Sequence, residues 1–193
     1  MSAKNRMMRK RIIWKGLNRL QTTEHCELLL EEDRIIVSAV VEGKVDDQQV
    51  DISYLIHADR NWRTLAVSVL NKMEGELKQL AYTSDGAGNW YQDGLEVALF
   101  KGCIDIDIMV SPFTNGLPVN RLKMKTGESQ RIIVMYFDIL EFEVKRVDQI
   151  YTRITEDRYK YENTHNDFQA IVKFDELGLV RSYPGLFEMT SIE

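Results

Sequence analysis

The sequence predicts a mainly β protein, a single domain over residues 1–193 built as a long antiparallel meander with few or no helices. Three observations predict it. Apolar and polar residues alternate with period two along most of the chain, the signature of half-buried strands. Glycine-containing turn signals recur between these runs. Proline is scarce, three residues in all, and no Ser/Gly-rich linker or internal repeat divides the chain. With 193 residues, 44% of them hydrophobic, one sizeable core is a better expectation than two small ones.

The elements follow in order. The basic start "KNRMMRKR" reads as a frayed, solvated terminus over residues 1–10, with contact to an anionic membrane surface as the sharper alternative. It does not read as a secretory signal, because Lys15, Gly16, Asn18 and Arg19 break the apolar stretch that a signal requires. No run approaches the roughly 18 apolar residues of a membrane span, so a cytoplasmic protein is expected. "RIIVSAVVEGKV" and "QVDISYLIHAD" are strands separated by a polar, glycine-containing turn. In the second, Ile52, Tyr54 and Ile56 share one face. "RTLAVSVLNKMEGELKQL" has helical spacing at Leu65, Val69, Met73, Leu77 and Leu80. Its Gly75 and β-branched Val67 and Val69 favour two strands with a turn at Glu74-Gly75. Asp85-Gly86 and Asp93-Gly94 are hairpin signals. Thr126-Gly127 reads as another hairpin turn. "LEFEVKRVDQIYTRITEDRYKYE" is one or two strands, and Gly178 supplies a positive φ to a last hairpin. A sheet this long must curl, form two layers or wrap a helix to bury one face.

Composition excludes some functions. The net charge is −5 with both signs interspersed, so nucleic acid is not an expected partner. Cys26 and Cys103 are expected as buried free thiols in a reducing compartment. They and the three histidines show no zinc spacing, and neither a metal nor a cofactor is expected. No nucleophile–base spacing appears.

The most patterned stretch is "KGCIDIDIMVSPFTNGLPVNRLKM". Ile104, Ile106, Ile108 and Val110 form a core face. Cys103, Asp105 and Asp107 share the other face, with the carboxylates about 7 Å apart. They read as a solvated face or as partners of an arginine or of turn amides. The alternative is an acid/base pair or a hard-cation site. "SPFTNGLP" reads as a rigid, proline-bracketed loop, with Asn115-Gly116 in a left-handed turn and Pro118 opening the next strand. Phe113 and Leu117 either tuck back as plugs or line the mouth of a cavity. Arg121 is expected to pair with Asp105 or Asp107, or else to grip an anionic or sugar head group.

The succession Gly102-Cys103, Asp105, Asp107 and "SPFTNGLPVNRL" resembles the bacterial family named putative glycolipid-binding proteins. So do Trp14, Glu24-His25-Cys26, "YLIHADRNWRTLAVSV", Gly88-Asn89-Trp90, Gln149 with Tyr151, Tyr159-Lys160-Tyr161-Glu162 and "FDELGLVRSYPGLFEM". The resemblance spans most of the chain. It implies a spiral β-roll, a glycolipid-binding role and no catalytic motif. Tyr54, Trp62, Trp90, Tyr151, Tyr159 and Tyr161 are the aromatic residues of these blocks. Any of them can be core, or can stack on a sugar. Trp62-Arg63 is the more suggestive pair, since neighbours on a strand face opposite ways.

Three functional classes follow. The first is a non-catalytic lipid or glycolipid binder. It would hold its ligand in an apolar cavity of roughly several hundred Å3, using Tyr54, Trp62, Arg63, Trp90, Phe113, Asn115, Arg121, Tyr151 and Tyr161. The second is an enzyme on a sugar or lipid with Asp105 and Asp107 as its acid/base pair. The third is a homodimeric interaction module pairing exposed sheet edges. The first is preferred.

Overall fold

In the computed structural model, which describes residues 7–73 and 76–193, the alternating runs become strands. The first arm holds β1 (Met8–Gly16), β2 (Leu20–Leu30), β3 (Arg34–Val45), β4 (Gln48–Asp59), β5 (Thr64–Met73), β6 (Glu76–Ser84), β7 (Trp90–Gln92) and β8 (Leu95–Glu96). The second holds β9 (Asp105–Ile108), β10 (Ser129–Asp138), β11 (Glu143–Arg153), β12 (Arg158–Asn163), β13 (Gln169–Phe174), β14 (Val180–Tyr183) and β15 (Phe187–Ile192). A helix, α1 (Phe113–Leu122), lies between β9 and β10. On β4 the alternation is plain: Ile52, Tyr54 and Ile56 are buried, while Leu55 between them is 42% exposed.

The fifteen strands of the described residues form one sheet, ordered β8-β7-β6-β5-β4-β3-β2-β1-β15-β14-β13-β12-β11-β10-β9. β1 pairs with β2 on one side and β15 on the other, so two meanders run outward from the centre. The outer edges, β8 and β9, are consecutive in the chain and joined by the eight residues 97–104. Such a link spans at most about 29 Å, so the two edges stay near each other and the sheet rolls. A contact across the roll follows. Tyr82 of β6 meets Phe137 of β10 edge-on at 6.1 Å. Within the sheet, Trp14 Nε1 of β1 reaches past β15 and donates to the Val180 carbonyl of β14 at 2.6 Å.

The stretch after β9 departs from the expected strand–loop–strand. β9 and β10 are parallel, and a parallel pair needs a crossover of a dozen or more residues, usually a helix. α1 supplies it. Pro112 is its N-cap at φ −69°, ψ −17°, a torsion that proline presets for a helix start. Asn115-Gly116 is therefore helical rather than left-handed, and Pro118 lies inside the helix rather than opening a strand. The left-handed residue is Lys123, which ends the helix. Phe113 through Val119 are all buried, so α1 is packed into the roll. Burying Phe113 and Leu117 contributes about 1.5–3 kcal/mol each.

Smaller departures have local causes. Thr126-Gly127 leads from the helix into β10 and closes no hairpin. The β3–β4 turn uses Asp46 and Asp47, both at positive φ, while Gly43 sits within β3. Trp62 and Arg63 lie in the β4–β5 turn rather than on a strand. The turn at Glu74-Gly75 lies outside the described residues, and β5 and β6 pair around it. Of the basic start, residues 1–6 lie outside the described residues, and Met8, Arg9 and Lys10 pair with β2. Cys26 and Cys103 are buried and free. Among the described residues, no helix is long and apolar enough to cross a membrane.

Candidate functional site

With α1 seated in the roll, a cleft of about 220 Å3 opens beside its N-terminal turn. Asp107 of β9, Ser111 and Asn115 line one side. Tyr136 of β10, Tyr161 of β12 and Tyr183 of β14 line the other, with Phe168, Leu186 and Phe187. Arg19 stands at the rim, exposed and paired with Asp46 at 2.7 Å. Phe113 and Leu117 are both 0% exposed and belong to the buried core. They are plugs and not a rim.

The two carboxylates of β9 part company. Arg121 grips both oxygens of Asp105, with contacts of 2.6, 3.0 and 3.2 Å. Asp105 is 0% exposed and does not line the cleft. Burial raises its pKa and the Arg121 hydrogen bond opposes the rise. The expected solvated face is therefore covered, because α1 lies over it and brings its own counter-charge. Among the described residues Asp107 meets only neutral groups: Gln149 Nε2 donates to Oδ2 at 2.6 Å, and the Thr114 hydroxyl lies 3.4 Å from Oδ1. Burial pushes its pKa up to about 6. Asp105 and Asp107 thus do not meet across one gap, as an acid/base pair would.

Asn115 Nδ2 donates to the Tyr151 hydroxyl at 3.0 Å, which fixes the amide at the cleft wall. Tyr161 packs edge-on against Tyr151, Phe168 and Tyr183 at 5.4, 6.1 and 6.0 Å. Burial raises the pKa of Tyr136, Tyr151, Tyr161 and Tyr183, and the Asp107 charge adds to the rise. Three of these tyrosines, Tyr136, Tyr161 and Tyr183, share the cleft lining with Asp107.

Behind Ser111 lies a second buried group. Glu24 Oε1 accepts hydrogen bonds from the Tyr54 hydroxyl and from Ser111 Oγ, the latter at 2.9 Å. Glu24 Oε2 has no hydrogen-bond partner among the described residues. Burial raises the Glu24 pKa to about 8, so it is a neutral acid at pH 7.

Of the residues singled out in the sequence, the cleft gathers Asn115, Tyr161 and Asp107, with Tyr151 directly behind Asn115. The others lie elsewhere. Tyr54 bonds Glu24 and Ser111. Arg63 is exposed and pairs with Asp59 at 2.6 Å. Trp62 is half-buried in its turn. Trp90 is buried, and its Nε1 donates to the Cys103 carbonyl at 2.7 Å. Tyr159 is buried against Phe174. Tyr136, Tyr183, Phe168 and Arg19 were not singled out. Their signal was the alternation of β10 and β14, which places the two tyrosines on defined faces but does not say that those faces meet.

The family model whose description is "Putative glycolipid-binding" matches residues 11–189. The chain belongs to this family. A crystal structure of a DUF1089 family protein from Pseudomonas aeruginosa superposes with a TM-score of 0.76 at 32% identity, covering 86% of this chain and 91% of that one. No curated protein matches the sequence. The match of the family model takes in every residue of the cleft, from Arg19 to Phe187.

Proposed function

We propose that this protein binds a glycolipid through its head group, without catalysis, in the cleft between α1 and the second arm. The observation that carries the reading is the cleft's size and lining. At about 220 Å3 it falls below the 300–1,000 Å3 of drug-sized ligand sites, so it suits one ring-sized head and not a whole lipid. Phenol hydroxyls and the Asn115 amide suit sugar hydroxyls, and the tyrosine rings suit a sugar's apolar face. The acyl chains stay outside the roll, against the rim where Phe168 is 38% exposed. The family description, glycolipid binding, agrees with this.

The test is native mass spectrometry of the gently purified protein, followed by extraction and analysis of any lipid. A sugar-headed lipid retained by the parent and lost from the Tyr161→Ala/Tyr183→Ala variant is expected. A clean unliganded mass, together with no change in protein spectra on adding glycolipid micelles, overturns the reading.

A further inference from the structure

We propose that the cleft selects a head group bearing a protonated amine, of the amino-sugar class, and that Asp107 is the residue that reads the charge. The inference deepens the head-group reading and rests on it.

The argument begins with the contrast on β9. Two carboxylates stand two residues apart on one strand. Asp105 receives its cation from within the chain, Arg121. Asp107 receives a neutral amide and a hydroxyl, although it lines the cleft. A carboxylate drawn from water without a cation is unfavourable, and an opposite charge within about 4–6 Å relieves it. A ligand ammonium can provide that charge through a charge-assisted hydrogen bond.

The rest of the lining agrees. Tyr161, Phe168 and Tyr183 form a cluster with centroid separations of 6.0, 6.1 and 6.2 Å, and aromatic faces attract cations. Arg19 is the cation of the lining, but it stands at the rim and is held by Asp46. An anionic head would meet Asp107 with no free positive charge beside it. A neutral head would leave that carboxylate uncompensated. The titratable groups facing Asp107 are Tyr136 from β10, Tyr151 from β11, Tyr161 from β12 and Tyr183 from β14, with Arg19 at the mouth. Burial raises all four phenols, so they stay neutral over the working range. Asp105, on the same strand, is held by Arg121.

The experiment uses the full chain and four probes: glucosamine, glucose, N-acetylglucosamine and choline, titrated by calorimetry at pH 7. Glucosamine is expected to bind at least about tenfold tighter than glucose or N-acetylglucosamine, a difference of about 1.4 kcal/mol. The preference should fade at pH 5, where Asp107 takes up its proton, and disappear in Asp107→Asn. Equal binding of glucosamine and glucose overturns the charge inference and leaves the sugar-head reading standing. Binding of choline with no binding of any sugar overturns the amino-sugar class. No binding by any probe overturns both readings. The comparison of probes on the parent protein stands even if Asp107→Asn fails to fold.

Discussion

Glu24 makes stability depend on pH in a direction opposite to that of most carboxylates. Its side chain is 2% exposed, and burial raises its pKa from 4.5 to about 8. The folded state therefore holds a proton that the unfolded state has released above pH 4.5. Stability is full below that value and is lost as pH rises toward 8. Between pH 6 and 8 the loss is about 2 kcal/mol, since each pH unit in which the two states differ by one proton is worth about 1.4 kcal/mol. For a chain of this size that lowers Tm by about 4–8 °C. Asp107, with its pKa raised to about 6, is half titrated at the start of this window and adds a loss of about 0.4 kcal/mol in the same direction. Glu24→Gln keeps the shape and an acceptor for Tyr54 and Ser111 but cannot ionise. Its Tm should fall by no more than about 1–2 °C from pH 6 to 8 in calorimetry or near-UV circular dichroism, while the parent declines by the full amount. A level parent curve, or a decline of equal size in Glu24→Gln, would refute the reasoning.

Two further perturbations probe how α1 is held. Arg121→Met strands Asp105, a carboxylate with 0% exposure, and should cost about 3–5 kcal/mol in urea unfolding. The Arg121→Met/Asp105→Leu double variant should recover most of that, and a single variant within about 1 kcal/mol of the parent would count against a buried pair. Gly116→Ala places a methyl 2.7 Å from the Gly178 carbonyl oxygen, backbone that cannot move aside. A destabilisation of about 1–3 kcal/mol is expected, read from the same unfolding curves, and a neutral result would mean the helix does not sit against that turn.

The strands were legible because each one carries its own evidence. β3 and β4 coincide with the two runs read from alternation, and β13–β14 turns at Gly178 with φ 70°. The helix was not legible in the same way. Asn115-Gly116 and Pro118 are strong local turn residues and point to a loop. What overrode them was tertiary: β9 pairs parallel with β10, and only a crossover permits that. A signal was present in Pro112 at the helix start and Arg121 in the last turn, the usual asymmetry of helix ends. The cleft was half legible for a related reason. Asn115, Tyr151, Tyr161 and Asp107 stand out in the sequence, but which strand faces meet depends on how the sheet rolls. Nothing local to Tyr136 or Tyr183 says that β10 and β14 converge on β9.

On the proposed reading, the helix also decides where a lipid would lie. A roll of fifteen strands without α1 would enclose an oily space, the arrangement expected of a carrier that swallows an acyl chain. Here Phe113, Leu117 and Val119 of α1 are buried in the core. Asn120 pins the helix further, donating to the Gly116 and Leu177 carbonyls at 3.0 Å each. Drawing α1 out would expose its buried side chains and strip Asp105 of its partner, at a cost of several kcal/mol from the ion pair alone. A bound lipid would have to offset all of that before its tail gained anything. On the proposed glycolipid reading, the lower-energy arrangement leaves the helix seated, puts the head against Asp107 and Asn115, and lays the tail along Phe168 and Leu186 at the rim. Affinity should then follow the chemistry of the head far more steeply than the length of the chain attached to it.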